Sequence, residues 1–368
     1  VRSKAKTWDA IVIGGGIIGV SLALELRHEG LTVLIAEKAQ PGREASHAGA
    51  GMLAALDPDS PKELAEIARA SAALYPEFVA ELEVESGVKI DFRSEGTIYF
   101  TNDGVECSGE GLSEVELRSL EPALEFVGRD AFLLAEASVD PRDVMSAALE
   151  AAKRRGIEIA KGSPVTELVV ESNRIVGVKT ERTEYSAPIV VNCCGAWAGE
   201  IGGITIPTRP VKGQLLSVVF PQRSARAPLL RHVVRSDAVY LVPRSDGRIL
   251  IGATVEEAGF DKRVEPDTIN QLHQAAAVLV PELGEARIHE AWAGLRPGSP
   301  DGLPIMGATS IPGYFVSSGH FRNGILLAPA SARVMSRLIR GVDPGMEIAA
   351  FSPNRFEDAE RSAKVRSA

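Results

Sequence analysis

The chain has 368 residues, 45% of them apolar and 24% charged, with a formal net charge of -9. That length is long for one core, so two domains are expected, and an acidic balance without a basic stripe argues against nucleic acid or an anionic membrane surface as partner. No apolar run approaches the roughly 20 residues of a membrane span, the start reads as a strand rather than a signal peptide, and three cysteines suit a reducing compartment, so a cytoplasmic enzyme is expected.

The first element is an apolar strand at Ala10–Ile13, followed by Gly14, Gly15 and Gly16 and a helix containing Gly19. A second strand, expected at 31–36, ends in Glu37. Gly14 permits the tight turn, Gly16 lets the backbone approach a pyrophosphate, and Gly19 lets helix pack on strand. The helix N-terminus offers free N–H groups to phosphate. Glu37, about 20 residues beyond the turn, is placed to take both hydroxyls of an adenosine ribose. A dinucleotide site follows, and the next segment favours FAD over NAD. In 40–55, Arg43, Ala45, Ser46 and the small-residue run through Ala50 and Gly51 let backbone amides approach phosphates and a flat ring closely.

Helical spacing is expected over 62–85, and then the texture changes to strands and turns, with a polar glycine-rich surface turn at 102–111 and a helix at 112–124. At Asp140 the first texture returns as a helix with Asp140 as N-cap and Pro141 at its first position. Paired strands follow over 163–180, then a buried strand closing on Gly195, where backbone can near a cofactor. Cys193 and Cys194 are expected to be small buried hydrophobes, and the six histidines show no metal-ligand spacing, so no metal is expected. Strands dominate 208–290, with a helix at 267–279. The stretch 317–335 reads as a helix whose first turn carries Arg322, where the helix dipole would favour an acid.

The expected fold class is α/β: a doubly wound, Rossmann-like FAD-binding domain (1–85, 140–207 and 291–368) interleaved with an antiparallel-sheet α+β substrate domain (86–139 and 208–290). Arg296, held between Leu295 and Pro297 with Trp292 nearby, has a forked guanidinium suited to gripping a carboxylate. Tyr240 needs a partner for its hydroxyl if buried, and a substrate carboxylate would serve. Met52 is expected to shape the pocket wall.

With these segments in order, the chain resembles the FAD-dependent D-amino-acid oxidase family and, within it, the bacterial glycine oxidase branch. The match runs nearly end to end on "IGGGIIG", "AGML", "PVKGQLLSV", "YLVPR", "WAGLRPGSPDG" and "GHFRNGILLAP". It departs over 91–133 and at Ala238 and Val255, which bears on substrate range. The resemblance implies non-covalent FAD bound by Ile17, Ile18, Glu37, Lys38, Ala45, Ser46, Ala50, Gly51, Met52, Val165 and the run His320, Phe321, Arg322, Asn323, Gly324, Ile325 and Leu326. It implies substrate contacts from Arg296 and Arg322 with Tyr240 beside them, and the helix after Arg322 aimed at the flavin pyrimidine. The implied reaction is oxidative deamination of glycine, small amines or D-amino acids. The α-carbon gives hydride to flavin N5, an imine forms, and molecular oxygen is reduced to hydrogen peroxide, with no protein residue acting as acid or base. The imine could feed thiamine thiazole synthesis, and a homo-oligomer is implied. The alternative is a sarcosine-oxidase-like enzyme or a D-amino-acid dehydrogenase using another acceptor; no cysteine follows Cys194 to tie a flavin covalently.

Overall fold

The computed structural model describes residues 7–101, 107–125, 128–220 and 228–356. Residues 102–106 of the polar turn expected at 102–111 lie outside them. Two large sheets organise the chain. The first has six strands in the order Ile305–Ala308, Tyr314–Ser318, Ile189–Asn192, Ala10–Ile13, Val33–Glu37 and Glu158–Lys161. All neighbours run parallel except Ile305–Ala308, which turns back on Tyr314–Ser318.

Central parallel strands must be apolar on both faces, and Ala10–Ile13 and Val33–Glu37 are buried throughout. Ala10, Val12, Val33 and Ile35 face a core shared with the helices Ile17–His28, Ala65–Ser86, Pro141–Arg154 and Gly324–Ile339. Ile11, Ile13, Leu34 and Ala36 face the other way, onto Leu168, Ile175 and Val178 of a three-stranded antiparallel sheet. The helix Pro141–Arg154 forms as its sequence requires: Asp140 accepts from the Arg142 N–H at 2.9 Å, Pro141 needs no N–H donor, and Val144, Ala147, Ala148 and Ala151 form the buried stripe.

Pro329 lies inside the helix Gly324–Ile339 and has no N–H for the carbonyl of Ile325, four residues back. The Tyr75 hydroxyl supplies the missing donor at 2.5 Å, and the Ser71 hydroxyl donates to the Leu326 carbonyl at 2.6 Å. Burial pushes the Tyr75 phenol pKa up, so it stays a donor.

The second sheet has eight strands in the order Arg287–Gly298, Arg209–Val219, Ile249–Gly252, Tyr240–Pro243, Val233–Arg235, Thr97–Thr101, Asp130–Leu134 and Glu110–Leu112. Pairing is antiparallel except between Val233–Arg235 and Thr97–Thr101. Alternation splits its residues between two faces. Leu216, Val218, Leu241, Ile249 and Ile251 pack with the helix Pro266–Leu279, while Leu215, Val233, Val242 and Leu250 pack with Ala50 of the glycine-alanine loop. The strand Arg287–Gly298 pairs with Arg209–Val219 along its whole length, so a boundary at residue 291 falls inside it, and 291–298 stand in this sheet.

Candidate functional site

One cavity of about 720 Å³ is lined from both sheets. At one end stands the turn after Ala10–Ile13. Gly14 takes φ +104, and a Cβ there would fall 2.5 Å from the Cys193 carbonyl oxygen; at Gly19 it would fall 2.1 Å from the Gly14 carbonyl oxygen. Packing within the protein demands these two glycines. Gly16 is different, because an added Cβ would meet only the Ser46 hydroxyl, at 3.3 Å, and Gly16 borders the cavity. The helix it opens has no side-chain cap and no acid in its first turn. Its positive end is thus available to an anion in the cavity, although the Ser46 hydroxyl takes the Ile17 N–H at 2.9 Å.

Glu37 closes its strand 9% exposed, with Oε2 accepting from the Gly15 N–H at 2.7 Å and Oε1 from the Ala39 N–H at 2.8 Å. Each oxygen keeps further acceptor capacity for a ribose hydroxyl. Beside it the Lys38 ammonium lies 3.3 Å from the Trp197 ring centroid, and Trp197 stacks on Phe260. Arg43, Ala45, Val165 and Gly195 also line this end. Gly195 (φ +56) opens a short 3-10 turn, the strand before it having ended at Asn192. Burial pushes the Cys193 thiol up and the Cys194 thiol up to about 12, so both are inert fillers.

At the other end Arg296 lies over Gly213, where an added Cβ would be 2.3 Å from its nearest guanidinium nitrogen. Arg296 donates to the Thr254 carbonyl at 2.9 Å and lies beside Tyr240, close enough for the two to shift each other's pKa. It makes no ion pair among the described residues. Desolvation pushes its pKa down first; Tyr240 opposes this and nearby Arg322 reinforces it. Tyr240 lies over a second glycine, with its hydroxyl 2.5 Å from where a Gly252 Cβ would stand, and burial raises its pKa to about 12. Met52 packs with Tyr240 and Trp292 against the Ala50 cluster and lines the wall.

Arg322 is not in the first turn of an α-helix. The strand Tyr314–Ser318 runs through Ser318, Gly319 (φ +71) breaks the chain direction, and Phe321, Arg322 and Asn323 form a 3-10 turn before the helix begins at Gly324. Phe321 at φ +47 stops helical geometry from reaching back any further. Arg322 lines the cavity, exposed, with its guanidinium 5.2 Å from the Phe321 ring centroid. Phe321, Asn323, Gly324 and Ile325 also border it, as do Ile17, Ile18, Ala50 and Gly51. Leu326 does not: its side chain is 2% exposed in the core and reaches a neighbouring cavity of about 480 Å³.

His320 is 2% exposed, its Nε2 lies 3.1 Å from the Ser331 hydroxyl, and desolvation lowers its pKa to about 3. It is neutral in the folded chain and unsuited to act as a base. A folded pKa below the unfolded value of about 6.5 means that its contribution to stability is full above pH 6.5 and is lost as pH falls toward 3. His320→Asn is therefore expected to flatten the loss of Tm between pH 6.5 and 4. Parallel Tm profiles for the two proteins would contradict the buried neutral imidazole.

The matching family model is described as FAD dependent oxidoreductase and covers residues 9–338. The chain belongs to the FAD-dependent oxidoreductase family. It is 34% identical to a glycine oxidase of Pseudomonas aeruginosa over 363 residues, covering 93% of this chain and 98% of that one. It is also 34% identical to the bifunctional protein ThiO/ThiG of Synechocystis, of which it spans 54%. The crystal structure of a glycine oxidase from Geobacillus kaustophilus superposes with a TM-score of 0.89 at 31% identity, covering 95% of this chain and 99% of that one.

FAD is the cofactor of this family member, and the residues present fit it: Gly16 opens toward the cavity, the first helix has no acid in its first turn to oppose an anion at its positive end, and Glu37 stands one strand away. Sequence reasoning missed Trp197 and Arg244. Arg244 is 1% exposed and donates to the Ala50 carbonyl at 2.6 Å, a contact across 194 positions that no local pattern signals.

Proposed function

We propose that this chain oxidises glycine and other small amines or D-amino acids, holding the substrate carboxylate with Arg296, Tyr240 and Arg322. One observation carries this reading. Arg296 is a half-buried cation at the cavity wall with no carboxylate within 4.0 Å among the described residues, Glu256 acting on it only from farther off, and such a charge is stabilised by an anion that enters the cavity. In this reading Gly16, Ile17 and Ile18 meet the pyrophosphate, Gly14 and Gly19 let the turn and helix pack so that they can, and Glu37 takes the ribose. Lys38, Arg43, Ala45, Ser46, Ala50, Gly51, Met52, Val165, Gly195 and the turn from His320 to Ile325 serve the rest of FAD.

When bound, FAD would supply the redox chemistry, taking two electrons and a proton as hydride from the substrate α-carbon and passing them to dioxygen, which leaves as hydrogen peroxide. The chain supplies orientation and electrostatics. Arg296 and Tyr240 fix the carboxylate, and Arg322 adds positive charge at the mouth. Neither group beside the clamp is suited to take a proton at neutral pH: the buried His320 imidazole, with a pKa of about 3, binds a proton too weakly, and the Tyr240 phenol, at about 12, keeps its own. In this reading the amine reacts in its neutral form and no side chain takes its proton.

Tyr240→Phe removes one hydrogen bond of about 0.5–1.5 kcal/mol and is expected to raise KM about three- to tenfold with FAD retained. An unchanged KM would take Tyr240 out of the clamp.

The imine product suits delivery to thiamine thiazole synthesis, in line with the ThiO/ThiG relative. We place the enzyme in the cytoplasm as a homo-oligomer; no helix among the described residues is long and apolar enough to cross a membrane. The test is anaerobic mixing of the FAD-loaded protein with glycine, sarcosine, D-alanine, D-proline and L-alanine, followed by air. Bleaching by glycine and small D-amino acids, then rapid reoxidation with peroxide, is expected. No bleaching would assign another substrate class, and bleaching that air does not reverse would make the protein a dehydrogenase.

A further inference from the structure

Two strands of the eight-stranded sheet present side chains at two-residue intervals on the face that meets the glycine-alanine loop. On Arg287–Gly298 these are Trp292, Gly294 and Arg296. The Trp292 indole N–H donates to the Ala48 carbonyl at 3.1 Å, and a Cβ on Gly294 would lie 2.4 Å from the Ala48 methyl, so Gly294 is the seat into which Ala48 fits. Along and just beyond Tyr240–Pro243 the same alternation gives Tyr240, Val242 and Arg244. Val242 packs on Ala50, and Arg244 donates to the Ala50 carbonyl at 2.6 Å. Each strand thus carries a substrate-gripping residue, a seat for the loop, and an anchor four residues from the grip, a span of about 13 Å.

The anchors are themselves fixed. Arg142 lies 4.8 Å from the Trp292 ring centroid, pairs with Glu290 at 2.8 Å and donates to the His47 carbonyl. Arg244 faces Asp140, the N-cap of Pro141–Arg154, at 3.6 Å, and its Nε and Nη1 have no hydrogen-bond partner. A buried guanidinium left short of hydrogen-bond partners is costly, and the Ala50 carbonyl and Asp140 are what offset that cost here.

We propose that Trp292 and Arg244 are positioning residues that lock the carbonyls of Ala48 and Ala50 in register with Arg296 and Tyr240, so that clamp and cofactor loop keep one spacing. The proposal deepens the amine-oxidation reading and rests on it for its kinetic part. Displacement of the loop by an ångström costs a reaction up to about a hundredfold without touching the carboxylate grip.

The experiment compares Trp292→Phe, Arg244→Lys and Arg244→Met with the unsubstituted enzyme. It reads the anaerobic bleaching rate at saturating glycine, the Kd for acetate as a carboxylate probe, the Kd for FAD and the Tm. Trp292→Phe is expected to slow bleaching about tenfold or more and to weaken FAD severalfold, with the acetate Kd within twofold and Tm nearly unchanged. Arg244→Lys should recover part of the rate that Arg244→Met loses. Bleaching and FAD affinity within twofold of the unsubstituted enzyme in Trp292→Phe would overturn the proposal, as would loss of acetate binding in step with rate. If glycine fails to bleach the unsubstituted enzyme, the amine reading fails, and the FAD Kd of Trp292→Phe alone decides this one.

Discussion

Arg296→Ala is expected to raise KM for glycine about a hundredfold, with the yellow flavin spectrum intact. Truncating one partner of a buried, charge-assisted hydrogen-bonded pair costs about 2–5 kcal/mol, and each 1.4 kcal/mol is tenfold in affinity. The residue is well placed to show the full effect. It lies over Gly213, beside Tyr240 and donating to the Thr254 carbonyl, at the other end of the cavity from the glycine turn. Arg296→Lys should recover little, because an ammonium cannot reproduce the planar fork. Steady-state kinetics beside flavin absorbance separate the two ends of the cavity: an unchanged KM would remove Arg296 from the clamp.

Gly51→Ala is expected to yield protein that is largely colourless, with FAD affinity down about a hundredfold or more and Tm lowered. Gly51 holds φ +76, which costs an alanine about 1–2 kcal/mol, and the added methyl would lie 1.8 Å from the Val139 carbonyl oxygen. That oxygen cannot retreat cheaply. The Val139 N–H bonds the Gly51 carbonyl at 2.8 Å, the strand Ala137–Val139 pairs on both sides, and the next residue, Asp140, caps a helix. The loop must give way instead, taking Ala50 and Met52 off the cavity wall. Equilibrium dialysis with FAD measures the loss; normal flavin content would show that this loop is no part of the cofactor wall.

The nucleotide end was the most legible part of the sequence because its signals are local. Gly14, Gly16, Gly19 and Glu37 lie within one strand–helix–strand unit, and Asp140 and Pro141 announce their helix by adjacent chemistry. Arg296 and Tyr240 were legible through short motifs, but the glycines beneath them, Gly213 and Gly252, acquire meaning only when strands pair. Arg322 was placed one element too late because the apolar spacing of 324–335 runs smoothly backward, while Gly319 and Phe321 turn left-handed and break it. The strand that crosses residue 291 was hidden for a related reason: Arg287, Ile288, His289 and Glu290 do not alternate as a half-buried strand would, and only partnership with Arg209–Val219 extends the strand there. Trp292 and Arg244 act on carbonyls 244 and 194 positions away, which no periodicity encodes.

The proline in the last long helix has a consequence for modularity. Because Pro329 leaves the Ile325 carbonyl without an intrahelical donor, the segment that leads out of the His320 to Asn323 turn is completed by Tyr75 and Ser71 of a different helix. The helix Gly324–Ile339 and the turn that leads into it therefore do not make a portable cassette. A graft of that turn and helix into another scaffold must carry Ala65–Ser86 with it, or replace Pro329 by a residue with an N–H, before the transplanted helix can stand on its own.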